Sequence, residues 1–475
     1  MATSRIILGE WLPDQPSVVE SLKVATNVVP LSVGYSGFPS AENYSNASGE
    51  TLLRTFSAKF GSTTQLFAAS ASKLYKFNPA TLNLDNFSKA GGYAATDWSF
   101  VQFGNSILAT DNASRIQYYT LGSLATAFAD ASATAPVAKY LTIVRDFVVA
   151  ANLDGGTNAN KVQWSDINDF TDWTAGGASQ SDFQIVADGG NITGITGGEF
   201  GLIFLEQAVV RMTYIGSPFF FQFDVLTRSM GCMEGGSVVQ YGNTTYFLSD
   251  NGFYACDGTT LSAIGNEKID RYFFDNVNIN AIDTMTSAVD PVKKIVVWNF
   301  PNISNGRSLL IYNYQVKKWS IADTIASTVS SIATAGFTLE NLDIFGTLDS
   351  LTTSLDDRLW AGGKFLFAGT IGDKIATFTG DNMVAQLTTG DIEQGYNSVV
   401  TLARPQIDNG SCLVSVASRK ELDDAILFST PIATSSEGRV SLRSYGRYHR
   451  FNVTPTGNWT NAISLDIDIQ PQGNR

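Results

Sequence analysis

Short apolar runs arranged in pairs dominate the chain. An apolar stretch of about five residues is followed by a polar turn and a second stretch rich in Tyr, Phe and Trp, the pattern of an antiparallel β-hairpin. QLFAASASKLYKFN (65–78) has this form, as do GNSILATDNASRIQYY (104–119) and GNTTYFLSDNGFYACDG (242–258). Looser versions begin at 144, 201, 293 and 362. The seven start points, 65, 104, 144, 201, 242, 293 and 362, are spaced by 39, 40, 57, 41, 51 and 69 residues. Several of these spacings match a four-stranded propeller blade, which takes about 40–50 residues. A strand-pair repeat leaves edges and one face uncovered, and radial stacking hides both. The pattern therefore predicts an all-β chain with a β-propeller over 51–380. Six blades fit best, and five or seven remain open. Asn251-Gly252, Asn305-Gly306, Asp188-Gly189-Gly190 and Gly265-Asn266 supply turn chemistry between the strands.

The ends differ from the middle. Residues 1–50 show little strand alternation and carry Pro13, Pro16, Pro30 and Pro39. They read as an extended N-terminal arm crossing a neighbouring surface, with Ile6, Ile7, Leu8 and Trp11 as anchors. Beyond 380 strand signals continue but the long period is lost. ISLDIDIQ at 463–470 alternates strictly, placing Ile463, Leu465, Ile467 and Ile469 on one face. Residues 381–475 read as a separate β-sandwich-like platform or interface domain.

Composition supports many short strands. Charged residues make up 16% of the 475, and Gly, Ser, Thr and Asn fill the gap. Low charge also suits a subunit that hides surface against partners. The net charge is −13 and it is uneven: residues 1–399 hold 23 Lys and Arg against 37 Asp and Glu, while 400–475 hold 8 against 7. An acidic chain does not grip phosphate backbones, although DNA could slide past it without sticking. Cys232, Cys256 and Cys412 are odd in number and widely spaced, which predicts small core residues and folding in a reducing cytoplasm. The opening residues are too weakly apolar for a signal peptide, and no 18-residue apolar run predicts a membrane helix.

Candidate chemistry is sparse. His449 is the one histidine; between Arg447 and Arg450 it reads as an exposed or interface residue. Asp154, Asp166, Asp169, Asp172, Asp182 and Asp188 face a single counter-charge, Lys161, and read as solvated loop carboxylates. Their spacing departs from a calcium loop. Arg439, Arg443, Arg447 and Arg450, with Tyr445 and Tyr448 interleaved, form a basic aromatic strip without an acid. Such a strip suits single-stranded nucleic acid or a protein interface. In an otherwise acidic chain the economical expectation is a joint with an acidic face of the next subunit, and these residues with Trp11 are the interface candidates. No GxxxxGK[ST], HExxH, GxSxG or helix-opening GxGxxG occurs. No catalytic residue, metal ligand or cofactor is expected.

Several stretches together resemble the tail nozzle (tail hub, packaged-DNA stabilisation) proteins of short-tailed bacteriophages. They are LGEWLPDQPSVVESLKVATNVVPLSVGY (8–35), VQWSDINDFTDW (162–173), GGNITGITGGEFGLIFLEQAVVRMTYIGSPFFFQFD (189–224), GSVVQYGNTTYFLSDNGFYACDG (236–258), IGNEKIDRYFF (264–274) and GRYHRFNVTPTGNWTNAISLDIDIQPQG (446–473). Residues 275–445 match in general texture alone. The resemblance implies a structural virion protein, made in the host cytoplasm and placed in the tail. There a homohexameric ring would extend the channel of the portal and its adaptor protein. It would retain packaged double-stranded DNA, pass it without tight binding at genome ejection, and carry fibres, spikes or a needle. No lipid membrane insertion and no enzymatic activity are implied. The alternative expectation is a propeller glycan hydrolase (depolymerase) or a lectin-like adhesin.

Overall fold

The computed structural model describes residues 2–177, 179–335 and 363–472. Six four-stranded antiparallel sheets form the blades of a β-propeller. Five follow in chain order, at residues 52–86, 99–130, 138–185, 192–227 and 239–263. The closing blade combines Thr328–Ala333, Phe365–Ile371 and Lys374–Thr377 with Glu42–Asn43 from the chain start. Between the fifth blade and the closing blade, a seventh sector is filled by 286–324. These are the four strands at one end of a larger, 14-stranded sheet.

Each of the seven sequence repeats is the second and third strand of one of these units. Position 362, where the last repeat begins, lies outside the described residues, but its strands Phe365–Ile371 and Lys374–Thr377 do not. The second strand is the most apolar because blades cover it on both faces: Ser106–Thr110, Phe147–Leu153, Gly201–Leu205 and Ile295–Pro301 are buried along their whole length. The fourth strand lies at the rim, and Asp182–Ile185 is mostly exposed. Period-2 alternation therefore fades where burial is two-sided.

Apolar cores lie between blades. One, including Phe67, Trp98, Ile107 and Tyr119, joins the first two; another, with Phe147, Trp164, Ile203 and Phe221, joins the third and fourth. Polar side chains stitch neighbouring inner strands around the axis. Gln102 exchanges two hydrogen bonds with the Lys59 backbone, at 2.9 and 2.7 Å. The Ser99 hydroxyl accepts from the Leu141 N–H, and Gln240 donates to the Gly197 carbonyl. Ser287 donates to Gly236, Ser331 bonds both backbone groups of Val289, and Ser57 accepts from the Ala333 N–H. Hydroxyls and amides at these positions satisfy backbone groups that no sheet partner reaches.

The expected N-terminal arm is not an arm. Ala2–Ile7 pairs antiparallel with Asn461–Pro471. Leu22–Thr26 lies between Lys318–Thr324, in parallel, and Gln386–Thr389, antiparallel, and so welds the seventh sector to the C-terminal strands. Glu42–Asn43 completes the closing blade. Open strand edges within the same chain capture these segments, and Pro13, Pro16 and Pro39 fall outside the named strands.

Residues 381–472 form a sheet domain with two 17-residue strands, Ile392–Asp408 and Val440–Thr456. The boundary expected near 380 is not clean, because the large sheet runs from 286–324 through Leu22–Thr26 into this domain. Leu465, Ile467 and Ile469 share a buried face as expected. Ile463 does not join them fully: a register shift opposite Gln406 and Ile407 inserts it as an extra residue, and it is only half-buried.

Candidate interaction surface and axial cavity

The Arg/Tyr strip lies on Val440–Thr456 and the residue before it. Period 2 turns Arg439, Arg443, Tyr445 and Arg447 outward, while Val440, Leu442 and Gly446 are buried. The phase then changes beside the irregular pairing between Glu393 and Ser398 of the neighbouring strand, so that Tyr448 and His449 are buried. The six strip residues therefore do not share one face. Nor is the strip as free of acids in space as in sequence. Arg439 pairs with Glu437 and Arg447 with Glu393, both at 2.5 Å. Among the described residues Arg443 has no ion-pair partner, and Lys420 lies over the Tyr445 ring. The expected joint between a basic strip and an acidic face thus loses most of its charge to pairs within the chain.

Arg450 belongs to the interior. Its guanidinium makes two bonds to the Asp391 carboxylate, 3.1 and 2.8 Å, and Arg419 reaches the same carboxylate at 2.5 Å. Asp391 is fully buried. Burial pushes its carboxyl up, but Ser17 and the two guanidiniums hold it below the ordinary range. Trp11 is buried as well: its indole N–H donates to the Lys23 carbonyl at 3.2 Å, and its ring packs edge-on against Tyr272. As interface candidates, Trp11, Tyr448 and Arg450 are corrected to internal packing and pairing. Arg439, Arg443, Tyr445 and Arg447 remain at the surface.

His449, expected at an exposed or interface position, is fully buried. Nε2 lies 2.7 Å from the Ser398 hydroxyl and Nδ1 2.7 Å from that of Ser418. Burial lowers its pKa to about 4. The loop acids cap turns: Asp166 accepts from the Gln180 N–H, Asp169 from Thr171 and Asp172 from Thr174. Among the described residues no group of three or more His, Cys, Asp or Glu stands together as a metal site. Cys232, Cys256 and Cys412 are free and buried, and burial pushes the Cys232 and Cys412 thiols up to about 12.

Two features escaped sequence reasoning. The first is an exposed apolar segment of the sheet domain. Leu422, Ile426, Leu427, Phe428 and Ile432 are all at least 39% exposed, and Leu427 reaches 78%. Residues 425–430 lie outside the named strands, and the short strand Ile432–Ala433 that follows pairs with Ser411–Arg419. The second is a cavity of about 680 Å³ on the propeller axis, reached by residues of the inner strands and the loops before them. Arg54 and Asp97 form a bidentate pair in it, at 2.8 and 2.9 Å. Burial raises the Asp97 carboxyl and Arg54 more than reverses this. Lys139, Tyr140, Glu234 and Asp283 also line it, and burial raises Glu234. These groups come from separate blades, so no local motif announces them.

No family model and no curated protein matches the sequence. Solved structures with a related arrangement include two of the extracellular domain of BT4673 from B. thetaiotaomicron. One is described as part of a one-component system and the other of a hybrid two-component system. Both are 10% identical to this chain with a TM-score of 0.43, and they cover 85% and 86% of it. The chain spans about half (48%) of their length.

Proposed function

We propose that the chain is a structural ring subunit of a short-tailed phage tail, the nozzle that continues the portal channel, holds packaged DNA and passes it at ejection. The exposed apolar segment at 422–432 carries this reading. A contiguous apolar stretch on a soluble surface marks a place that another molecule covers. Lys420, just before the segment, lies over the ring of the outward Tyr445, a residue type enriched at protein interfaces. The stretches resembling nozzle proteins point the same way, and so does the acidic excess of residues 1–399, which disfavours tight DNA binding. In a closed head-to-tail ring each copy offers two different surfaces, one to each neighbour, and the apolar segment is read as one of the two.

The test is the mass of the purified chain in solution together with its copy number and position in virions. A sixfold ring at the tail is expected. Replacing Leu427 and Phe428 by Asp should return the ring to folded monomers. A chain that stays monomeric and is absent from particles sinks the proposal.

A further inference from the structure

The proposed role does not use the axial cavity of the propeller. Its lining is graded. Arg54, Asp97, Lys139, Tyr140, Glu234 and Asp283 lie near or before the starts of their inner strands. Phe56, Phe100 and Tyr241 come further along those strands. Phe56 and Phe100 are stacked 5.6 Å apart and nearly parallel, at 12°. Tyr241 is 44% exposed and stands 5.3 Å from Tyr314. The cavity thus offers donors and acceptors of both signs around one part and aromatic surface in another.

We propose that this cavity binds an uncharged polyhydroxylated ring, a saccharide unit. Three carboxylates against two cations disfavour a phosphate or another strong anion. A purely apolar ligand would strand the Arg54–Asp97 pair, Glu234 and Lys139 away from water without replacing their hydrogen bonds. Vicinal hydroxyls both donate and accept, so one sugar edge can satisfy a carboxylate and a guanidinium together. The C–H face of the same ring is apolar and fits an aromatic wall. The volume falls in the range of small-molecule sites, roughly 300–1,000 Å³. Tyr140 adds a phenol, a donor at neutral pH whose pKa burial raises further.

Titration of the full chain with D-glucose, D-galactose and N-acetyl-D-glucosamine, followed by saturation-transfer NMR and calorimetry, tests this. Inorganic phosphate serves as the anionic comparator. At least one sugar should bind in preference to phosphate. Glu234→Gln should weaken it about tenfold through loss of a charged acceptor. Tyr241→Ala, at a half-exposed position that does not threaten the core, should weaken it by a similar factor. Unchanged near-ultraviolet circular dichroism checks the fold of both variants. The proposal is overturned if none of the three sugars binds, if phosphate binds better, or if binding survives both substitutions. None of these outcomes bears on ring assembly, which is read from mass.

Discussion

His449 sits between two serine hydroxyls inside the sheet domain, and its burial has a thermodynamic consequence. Its pKa is about 4 in the folded chain and about 6.5 when the chain unfolds. The unfolded state therefore takes up a proton that the folded state refuses, and stability falls as pH drops from about 6.5 toward 4. The full effect is about 3 kcal/mol. Denaturant midpoints at pH 7 and pH 5 should fall further apart for the wild type than for His449→Gln, which removes this one titration. Equal pH slopes would show that the histidine is already protonated in the fold. The buried cysteines make a second residue-scale case. A thiol with a pKa near 12 is scarcely ionised at neutral pH, and only the thiolate is reactive. Cys232 and Cys412 should react with a disulfide reagent only at the rate of unfolding, and a fast phase in native buffer would contradict this.

Among the elements, one buried carboxylate ties two strands of the sheet domain to the chain start. Asp391 receives Arg450 from Val440–Thr456 and Arg419 from Ser411–Arg419, and its backbone N–H donates to the Ser17 carbonyl. Asp391→Asn leaves two buried guanidiniums short of a counter-charge and should cost about 3–5 kcal/mol. The surface pair Arg447–Glu393 is far more exposed, at 44% and 40%, and Arg447→Gln should cost under about 1 kcal/mol. Chemical denaturation of the two variants measures the difference. Similar losses would mean that the interior pair is solvated after all. A tighter constraint applies at Gly252, where φ is +125° and an added Cβ would fall 2.1 Å from the Asp270 carboxylate. Asp270 accepts from the Phe253 N–H there, so the Asn-Gly turn is held against the helix Asp270–Asn276 as well as shaped for its hairpin.

On the scale of the molecule, the chain start closes the structure in three places: the free edge of Asn461–Pro471, the gap between Lys318–Thr324 and Gln386–Thr389, and the closing blade. Loss of residues 1–43 would open all three edges and expose the core around Trp11 and Leu22. Such a truncation should lose cooperative folding, seen by circular dichroism and by aggregation. A soluble β-rich product that merely fails to assemble would restore the idea of a docking arm. Ring formation itself should respond to Leu427 and Phe428 and hardly at all to Arg447, whose charge Glu393 already answers.

The strand-pair rhythm was legible because it is local. A hairpin's turn residues and its apolar second strand lie within about twenty residues of each other, and all seven such pairs stand in the structure as the middle two strands of their units. Two-sided burial made each second strand a continuous apolar run, which is why the repeat showed in the chain even though the blade number stayed open between five and seven. The fate of residues 1–43 was not legible. Short segments between prolines carry little intrinsic preference, and what orders them is an unpaired edge more than 300 residues away. The same holds for the Arg/Tyr strip. Sequence order placed four arginines together without an acid, whereas folding brought Glu393 and Asp391 onto two of them and rotated Arg450 inward. His449 followed Arg450 inward at a register irregularity that spacing cannot reveal. The axial cavity lies furthest from sequence, since Arg54, Asp97, Lys139 and Glu234 become neighbours only when the ring of blades closes. Local pattern decided the repeat, because hairpin formation depends on neighbours in the chain. Closure decided the sites, because they depend on neighbours in space.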